Sequence, residues 1–335
     1  MSRPFLTVLT TPALPAPARW YRRARSLVRP LVKPGLPLPE MPAYPGHYAV
    51  VRSVVEGLRA IGADFNFNPD RIGDIGRVVY APTNEALRQA AALKRAGAIA
   101  RVVAGPANAL FADEDGGILL TPEIDLWIAA CEWVIDIYRV EAPQLVPKIR
   151  VCPCGVDAAA WAPSGASRRP RALVYWKSGD EAWCEDVERV VRACGLEPVR
   201  LRSRHGEHAH FDRATYRAVL DEAVAGVFLS SFETQGLALL EAWSMDLPTV
   251  VWNPCGTAEW LGRSFHAGSS CPYLTPHTGV TFQTLAELAP ALRYALEHRE
   301  QFSPRAWVLE HMTDAIRAAA LYRMIEDAAP IQQRP

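Results

Sequence analysis

The sequence predicts an α/β fold of two doubly wound domains, each a parallel sheet covered by helices on both faces. Three observations predict it. The chain has 335 residues, more than one hydrophobic core usually serves. Short, apolar, β-rich runs alternate with helix-like segments as far as Cys152. After a stretch of small residues, Gly155–Arg169, the same alternation begins again.

Taken in order, Phe5–Thr10 reads as the first strand. Ten of the 28 prolines fall between Pro4 and Pro45, so Ala13–Tyr44 has room only for a short helix, Trp20–Val28. His47–Ile61 reads as a helix with Val50, Val51, Val54 and Leu58 on one face. Arg77–Ala81 is a strand, Glu85–Ala96 a helix, and Val102–Val103 and Leu126–Cys131 are strands. Val134–Val140 is helical, and Ile149–Cys152 closes this half, with Cys152 and Cys154 expected on one face. The second half starts with strand Ala172–Trp176, then helix Glu181–Ala193 ended by Gly195, and strand Val199–Leu201. Helix Arg213–Ala223, strand Gly226–Leu229, helix Gln235–Ser244 and strand Pro248–Trp252 follow. The tail Thr284–Ala328 reads as helix except at Phe302-Ser303-Pro304. The expected domains are Rossmann-like: an N-terminal one over 1–155, rejoined by the final helix 305–335, and a C-terminal one over 156–304. Two such domains facing each other form a cleft at the carboxyl ends of their strands, where ligands bind.

Composition narrows the function. Half the residues are hydrophobic and 21% are charged, a globular balance rather than a disordered one. With 36 basic and 36 acidic residues the net charge is zero, which argues against nucleic acid as a partner. The balance is uneven: residues 1–39 hold seven basic side chains and no acidic one, leaving 29 basic against 36 acidic. No apolar run reaches the ~20 residues of a spanning helix. Phe5–Thr10 followed by Ala16-Pro17-Ala18 is too short and too rich in threonine and proline for an export signal. Seven scattered cysteines form neither a disulfide framework nor a zinc pattern. These features lead to an expected cytoplasmic location. The arm Trp20–Lys33 mixes five basic residues with Trp20, Tyr21 and four aliphatic side chains. That composition suits peripheral attachment, through residues 15–39, at the inner face of a membrane. A basic flap over the acceptor cleft or a disordered loop is the competing reading.

The stretch Val227–Val251, VFLSSFETQGLALLEAWSMDLPTVV, is the most informative. A buried strand ends at Leu229, and a polar turn, Ser230–Thr234, leads into a helix. Gly236, in its expected first turn, lets a ligand approach the backbone. The amides from Thr234 through Gln235 and Gly236 to Leu237 have no intrahelical acceptor, and the helix dipole favours an anion there. This is a pocket for phosphate. Glu241, about six residues in, lies roughly 9 Å along the axis, the span from a pyrophosphate to its ribose diol. Glu233, at the mouth, faces whatever hangs from the distal phosphate.

On these residues the chain resembles the retaining glycosyltransferases of family 4, which have the GT-B fold. The resemblance rests on Glu233 and Glu241 as an E-x7-E pair within strand–turn–helix–Pro–strand. Further matches are Pro153-Cys154-Gly155-Val156-Asp157 with Trp161-Ala162-Pro163, Gly256-Thr257-Ala258-Glu259, and the tail from Ala306-Trp307. It covers Ile149–Leu321, and the first 148 residues only by layout. Met245-Asp246-Leu247-Pro248 departs from the small residue and glycine that the family shows there. The resemblance implies that Glu241 binds the ribose, Glu233 the donor-sugar hydroxyls, and the Gly236 and Leu237 amides the diphosphate. It implies Lys177 as phosphate cation, with Arg202 or Arg204 supplying the second charge. Gly46-His47 stands where the family has a phosphate or acceptor loop, and Asn108 where it has a sugar-contacting histidine.

The function so implied is transfer of a sugar, with retention, from a nucleotide-sugar to an acceptor hydroxyl. A glycan, a lipid-linked carrier or a small molecule would supply that hydroxyl. Helix amides and cations stabilise the leaving diphosphate, so neither a metal nor another cofactor is expected. His205, His208 and His210 read as a solvated loop and Asp113-Glu114-Asp115 as an acidic turn rather than as metal sites. The alternatives are a sugar-nucleotide epimerase on the same scaffold and a sugar-nucleotide binding protein without catalysis.

Overall fold

The computed structural model describes residues 4–13, 48–203 and 211–328. The basic arm, Gly46, His47, Arg204 and the three histidines at 205, 208 and 210 lie outside the described residues. The chain divides into two compact units.

The first unit contains a six-stranded parallel sheet in the order β2-β1-β3-β4-β5-β6. Its strands are β1 (Leu6–Val8), β2 (Phe65–Phe67), β3 (Val78–Ala81), β4 (Arg101–Ala104), β5 (Ile124–Ala129) and β6 (Ile149–Val151). Leu6, Val8, Tyr80, Val103 and Ile128 point to one face of this sheet and meet Val51, Val54, Val55 and Leu58 of helix α1 (Tyr48–Ala60). Helix α2 (Asn84–Arg95) buries Ala86, Leu87, Ala90 and Ala91. Helix α3 is Glu132–Glu141.

The second unit has a five-stranded parallel sheet in the order β13-β10-β9-β7-β8. Its strands are β7 (Arg171–Trp176), β8 (Glu197–Arg202), β9 (Ala225–Leu229), β10 (Thr249–Trp252) and β13 (Gly279–Phe282). One face carries α4 (Glu181–Ala193) and α7 (Leu285–Glu297), which close over Val174, Trp176, Val227 and Val250. The other face carries α5 (Arg213–Glu222), α6 (Leu237–Ser244) and α8 (Pro304–His311), around Leu173, Phe228, Leu240, Trp243 and Val251. An antiparallel hairpin, β11 (Thr257–Trp260) and β12 (Arg263–His266), stands apart from the main sheet.

Several expectations are corrected. The expected helix over Gln235–Ser244 begins only at Leu237. The tail breaks a second time at Met312-Thr313, before helix α9 (Asp314–Asp327). Residues 305–316 belong to the second unit and only those from Arg317 onward to the first, where Ala318, Leu321 and Ile325 enter its core. Cys152 and Cys154 do not share a face: Cys152 lies in the core of the first unit, and Cys154 belongs to the second. Strands β2, β11, β12 and β13 are additional. Glu259, expected in a functional motif, is exposed on the hairpin.

The departure at Met245-Asp246 has a structural reason. Helix α6 ends with Asp246 at a left-handed φ of 58°, and Leu247 N–H donates to Ala242 O at 3.0 Å. Glycine usually fills this position, and aspartate is among the residues that tolerate it. Arg168 completes the cap, donating to Met245 O at 2.7 Å, Asp246 O at 3.0 Å and Ala223 O at 2.6 Å.

Candidate functional site

Strands β7 and β9 are neighbours, so the loops at their carboxyl ends lie together. The N–H groups of Lys177 and Ser178 both donate to Leu229 O at 2.9 Å, and Ser231 Oγ donates to Ser178 Oγ at 3.1 Å. From these two loops Lys177 Nζ and Glu233 Oε1 meet at 2.6 Å, with side chains 18% and 16% exposed. The sequence singles out both residues, and the structure pairs them directly.

Backbone bonds fix Glu233 on both sides. Its N–H donates to Ser269 O at 3.2 Å, and its carbonyl accepts the indole N–H of Trp133 at 3.0 Å. Phe232, just before it, is buried and meets Phe265 edge to face at 5.2 Å and Trp260 at 6.2 Å. Trp133 was missed by sequence reasoning. Its only local signal is a tryptophan at a helix head directly after a buried strand.

Gly236 adopts a left-handed conformation (φ 57°, ψ 38°) immediately before α6, and no side chain caps the helix. The first three helical amides, Leu237 to Leu239, therefore have no intrahelical acceptor. Glu241 lies four residues after Leu237, about 6 Å along the axis and on the same side. This replaces the 9 Å expected, because the turn at Gly236 delays the helix by two residues.

Glu233 and Glu241 act on one environment. Burial pushes the Tyr175 phenol up to about 12, and the charges of both carboxylates push the same way. Burial also raises Tyr216 well above its ordinary value, helped by the charge of Glu241. Tyr216 Oη donates to Ala238 O at 2.7 Å, fixing the first turn of α6.

The other expected residues have partners of their own. Thr234 O accepts the Tyr273 hydroxyl at 3.3 Å. Gln235 turns its Oε1 toward Cys154, accepting its N–H at 3.2 Å. Arg202 stacks over the Trp176 ring, 5.2 Å from its centroid, and Trp176 packs on the face covered by α4 and α7. Asn108, in the first unit, is buried; its Oδ1 accepts from Gly105 N–H and its Nδ2 donates to Asn84 Oδ1 at 3.0 Å. Each end of that amide makes one hydrogen bond within the fold. In the acidic turn, Glu114 Oε1 accepts the N–H groups of Leu110 and Phe111 at 3.0 and 2.8 Å. Among the described residues no group of three or more His, Cys, Asp or Glu side chains is placed to hold a metal ion. No described helix is long and apolar enough to cross a membrane.

No protein family and no curated protein matches the chain by sequence. Its structure is similar to that of the lipopolysaccharide outer core galactosyltransferase WaaB, with TM-score 0.56 and 10% identity over 97% of this chain and 100% of that one. It is also similar to the catalytic domain of starch synthase IV from Arabidopsis thaliana bound to ADP and acarbose (TM-score 0.55, 10% identity, 97% and 99% covered). Sucrose-phosphate synthase from Thermosynechococcus elongatus gives TM-score 0.52 and 13% identity over 98% and 100%. The chain spans only 53% of a further match, an accessory secretory protein of Streptococcus pneumoniae, at TM-score 0.45. The architecture, two units each built on a parallel Rossmann-like sheet, is the GT-B fold of glycosyltransferases.

Proposed function

We propose that this chain is a retaining glycosyltransferase that takes its sugar from a nucleotide-sugar donor and needs no metal. The observation that carries this reading is the Lys177–Glu233 contact at the carboxyl ends of β7 and β9, three residues ahead of the turn that opens an uncapped helix. A helix head with free amides and a lysine is suited to a diphosphate. Glu241, one turn along, can accept both hydrogens of a ribose diol. Glu233 can accept hydroxyl hydrogens of the sugar on the distal phosphate. The fold likeness to a galactosyltransferase and to two synthases, one of them bound to ADP and acarbose, supports the same reading.

In the reaction the bond between the anomeric carbon and the β-phosphate oxygen breaks, and the acceptor oxygen bonds to that carbon on the same face. The acceptor's proton passes to the departing phosphate oxygen, so no separate base is required. Charge grows on the β-phosphate as the bond breaks, and Lys177 with the amides of Leu237 to Leu239 stabilises it there. The acceptor is a glycan, a lipid-linked carrier or a small molecule bearing a hydroxyl. A thermal-shift series with UDP-, GDP-, ADP- and CMP-sugars tests donor use, because a ligand that binds the folded chain raises its melting temperature. Release of nucleoside diphosphate in the presence of acceptor then separates transfer from binding. No shift with any sugar nucleotide would overturn the reading; a shift without release leaves a binding protein.

A further inference from the structure

We propose that Trp133 is a positioning residue: its indole N–H, bonded to the carbonyl of Glu233, holds the Glu233 peptide so that its carboxylate meets Lys177. The proposal rests on the transferase reading for its catalytic consequence, but not for its geometry. Residues Cys131–Trp133 are part of the second unit, although the rest of α3 is not. Within that unit Trp133 is buried and donates Nε1–H to Glu233 O at 3.0 Å, across 100 residues of sequence. Its ring stacks on Phe265 at 6.0 Å and meets the edge of Phe232 at 6.3 Å. A methyl group added at Gly268 would come within 2.4 Å of Trp133 Cβ, so the 267–270 segment lies directly against this tryptophan. The next residue of that segment, Ser269, accepts the Glu233 N–H at 3.2 Å.

Both peptide groups that flank the Glu233 Cα are thus held, the one before it through its N–H by Ser269 and the one after it through its carbonyl by Trp133. Fixing the two peptide planes that flank a Cα fixes the direction in which its side chain leaves the backbone. The Glu233 carboxylate lies 2.6 Å from Lys177 Nζ, a distance that a small tilt of the 233–234 plane would lengthen. Displacements of about 1 Å at a reacting group cost catalysis heavily.

The chain contains only four lysines, Lys33, Lys94, Lys148 and Lys177, which makes a direct test practical. Protein labelled with carbon-13 at the lysine ε position gives four resolvable signals, and Lys177→Arg assigns the one that matters. Glu233→Gln marks the position that this signal takes when the ion pair is lost. Trp133→Phe, which keeps an aromatic ring and deletes the N–H, is expected to move the signal most of the way to that position. It is also expected to lower kcat about three- to tenfold, the worth of one hydrogen bond, with KM for the tested nucleotide-sugar lowered rather than raised, because Lys177 is released from its carboxylate partner. Should Trp133→Phe fail to fold, replacing the indole by benzothiophene gives the same shape without the N–H, and the same shift is expected. A Lys177 signal unmoved in the folded variant overturns the proposal, whatever the activity. A signal that moves in a chain that turns over no UDP-, GDP-, ADP- or CMP-sugar supports the positioning role and overturns the transferase reading instead.

Discussion

Replacing Glu233 by glutamine is the sharpest perturbation of the candidate site. Lys177 and Glu233 are 2.6 Å apart and both less than one-fifth exposed. An anion that uses Lys177 must therefore share it with, or take it from, this carboxylate. Glu233→Gln keeps the shape and one oxygen acceptor but removes the negative charge. A hydrogen bond to a charged group contributes about 1.5–3 kcal/mol. Coulomb repulsion between a carboxylate and a phosphate charge ~5 Å away, at an effective dielectric of ~20, comes to about 3 kcal/mol. Both terms oppose the nucleotide in the parent chain and both are relieved in the variant. The carboxamide oxygen still accepts from Lys177, so only part of this sum is recovered, and nucleoside diphosphate is expected to bind about 10- to 100-fold tighter, while transfer slows because the sugar hydroxyls lose their charged acceptor. Calorimetric titration of UDP and ADP into parent, Glu233→Gln and Lys177→Gln reads this directly, with Lys177→Gln expected to bind more weakly than the parent. The gain should shrink in high salt only modestly, since the pair is largely shielded from solvent. Unchanged or weaker diphosphate binding in Glu233→Gln would refute the reasoning.

Glu241→Ala is expected to weaken nucleoside diphosphate binding about tenfold or more with little change in melting temperature, because it removes a charged hydrogen-bond acceptor rather than core volume; equal affinity in calorimetry counts against the ribose assignment. Turnover should persist in EDTA, and its loss with recovery on adding Mg²⁺ or Mn²⁺ would reject the metal-free mechanism. Tyr175, raised from 10.0 to about 12 in the fold, contributes stability that is complete below pH ~10 and is lost as pH rises toward ~12, about 2–3 kcal/mol in all. Urea midpoints at pH ~8 and ~11.5 should therefore fall less steeply in Tyr175→Phe than in the parent, and parallel losses would dispose of the assignment.

Much of this was legible in the sequence, and the failures have physical reasons. Helix Glu181–Ala193 is found at the residues expected, because Asp180 caps its Trp183 N–H and Gly195 stops it. Glu233 stands out by its place in the turn after a strand, and Lys177 through the family resemblance. That they touch depends on β7 and β9 being neighbours, which no local spacing reveals. The head of α6 was misread because Gln235 and Gly236 continue an apparently helical run, while the backbone spends Gly236 on a left-handed turn. The hairpin β11–β12 was hidden by its turn, where Leu261 and Gly262 both take positive φ, 52° and 73°. A leucine there breaks the asparagine–glycine rule by which such turns are recognised. Trp133 was invisible because its partner is a backbone carbonyl, and any residue could have supplied that.

Helix α6 is bolted down at the end far from the proposed diphosphate site. Arg168 grips its last carbonyls, and Arg305 donates to Trp161 O at 3.0 Å, to Ser244 O at 2.5 Å and to Ala158 O at 3.1 Å. Two guanidinium groups from outside the helix, one before it in the chain and one after, thus tie its tail to the surrounding loops. The amides at its head inherit that stillness, since a rigid rod clamped at one end cannot wander at the other. The entropy of ordering those donors is spent when the chain folds, not when a diphosphate arrives. Substitutions at Arg168 or Arg305 should consequently register at the anion site as a looser, slower-closing grip, an effect transmitted along one helix from residues that never approach the ligand.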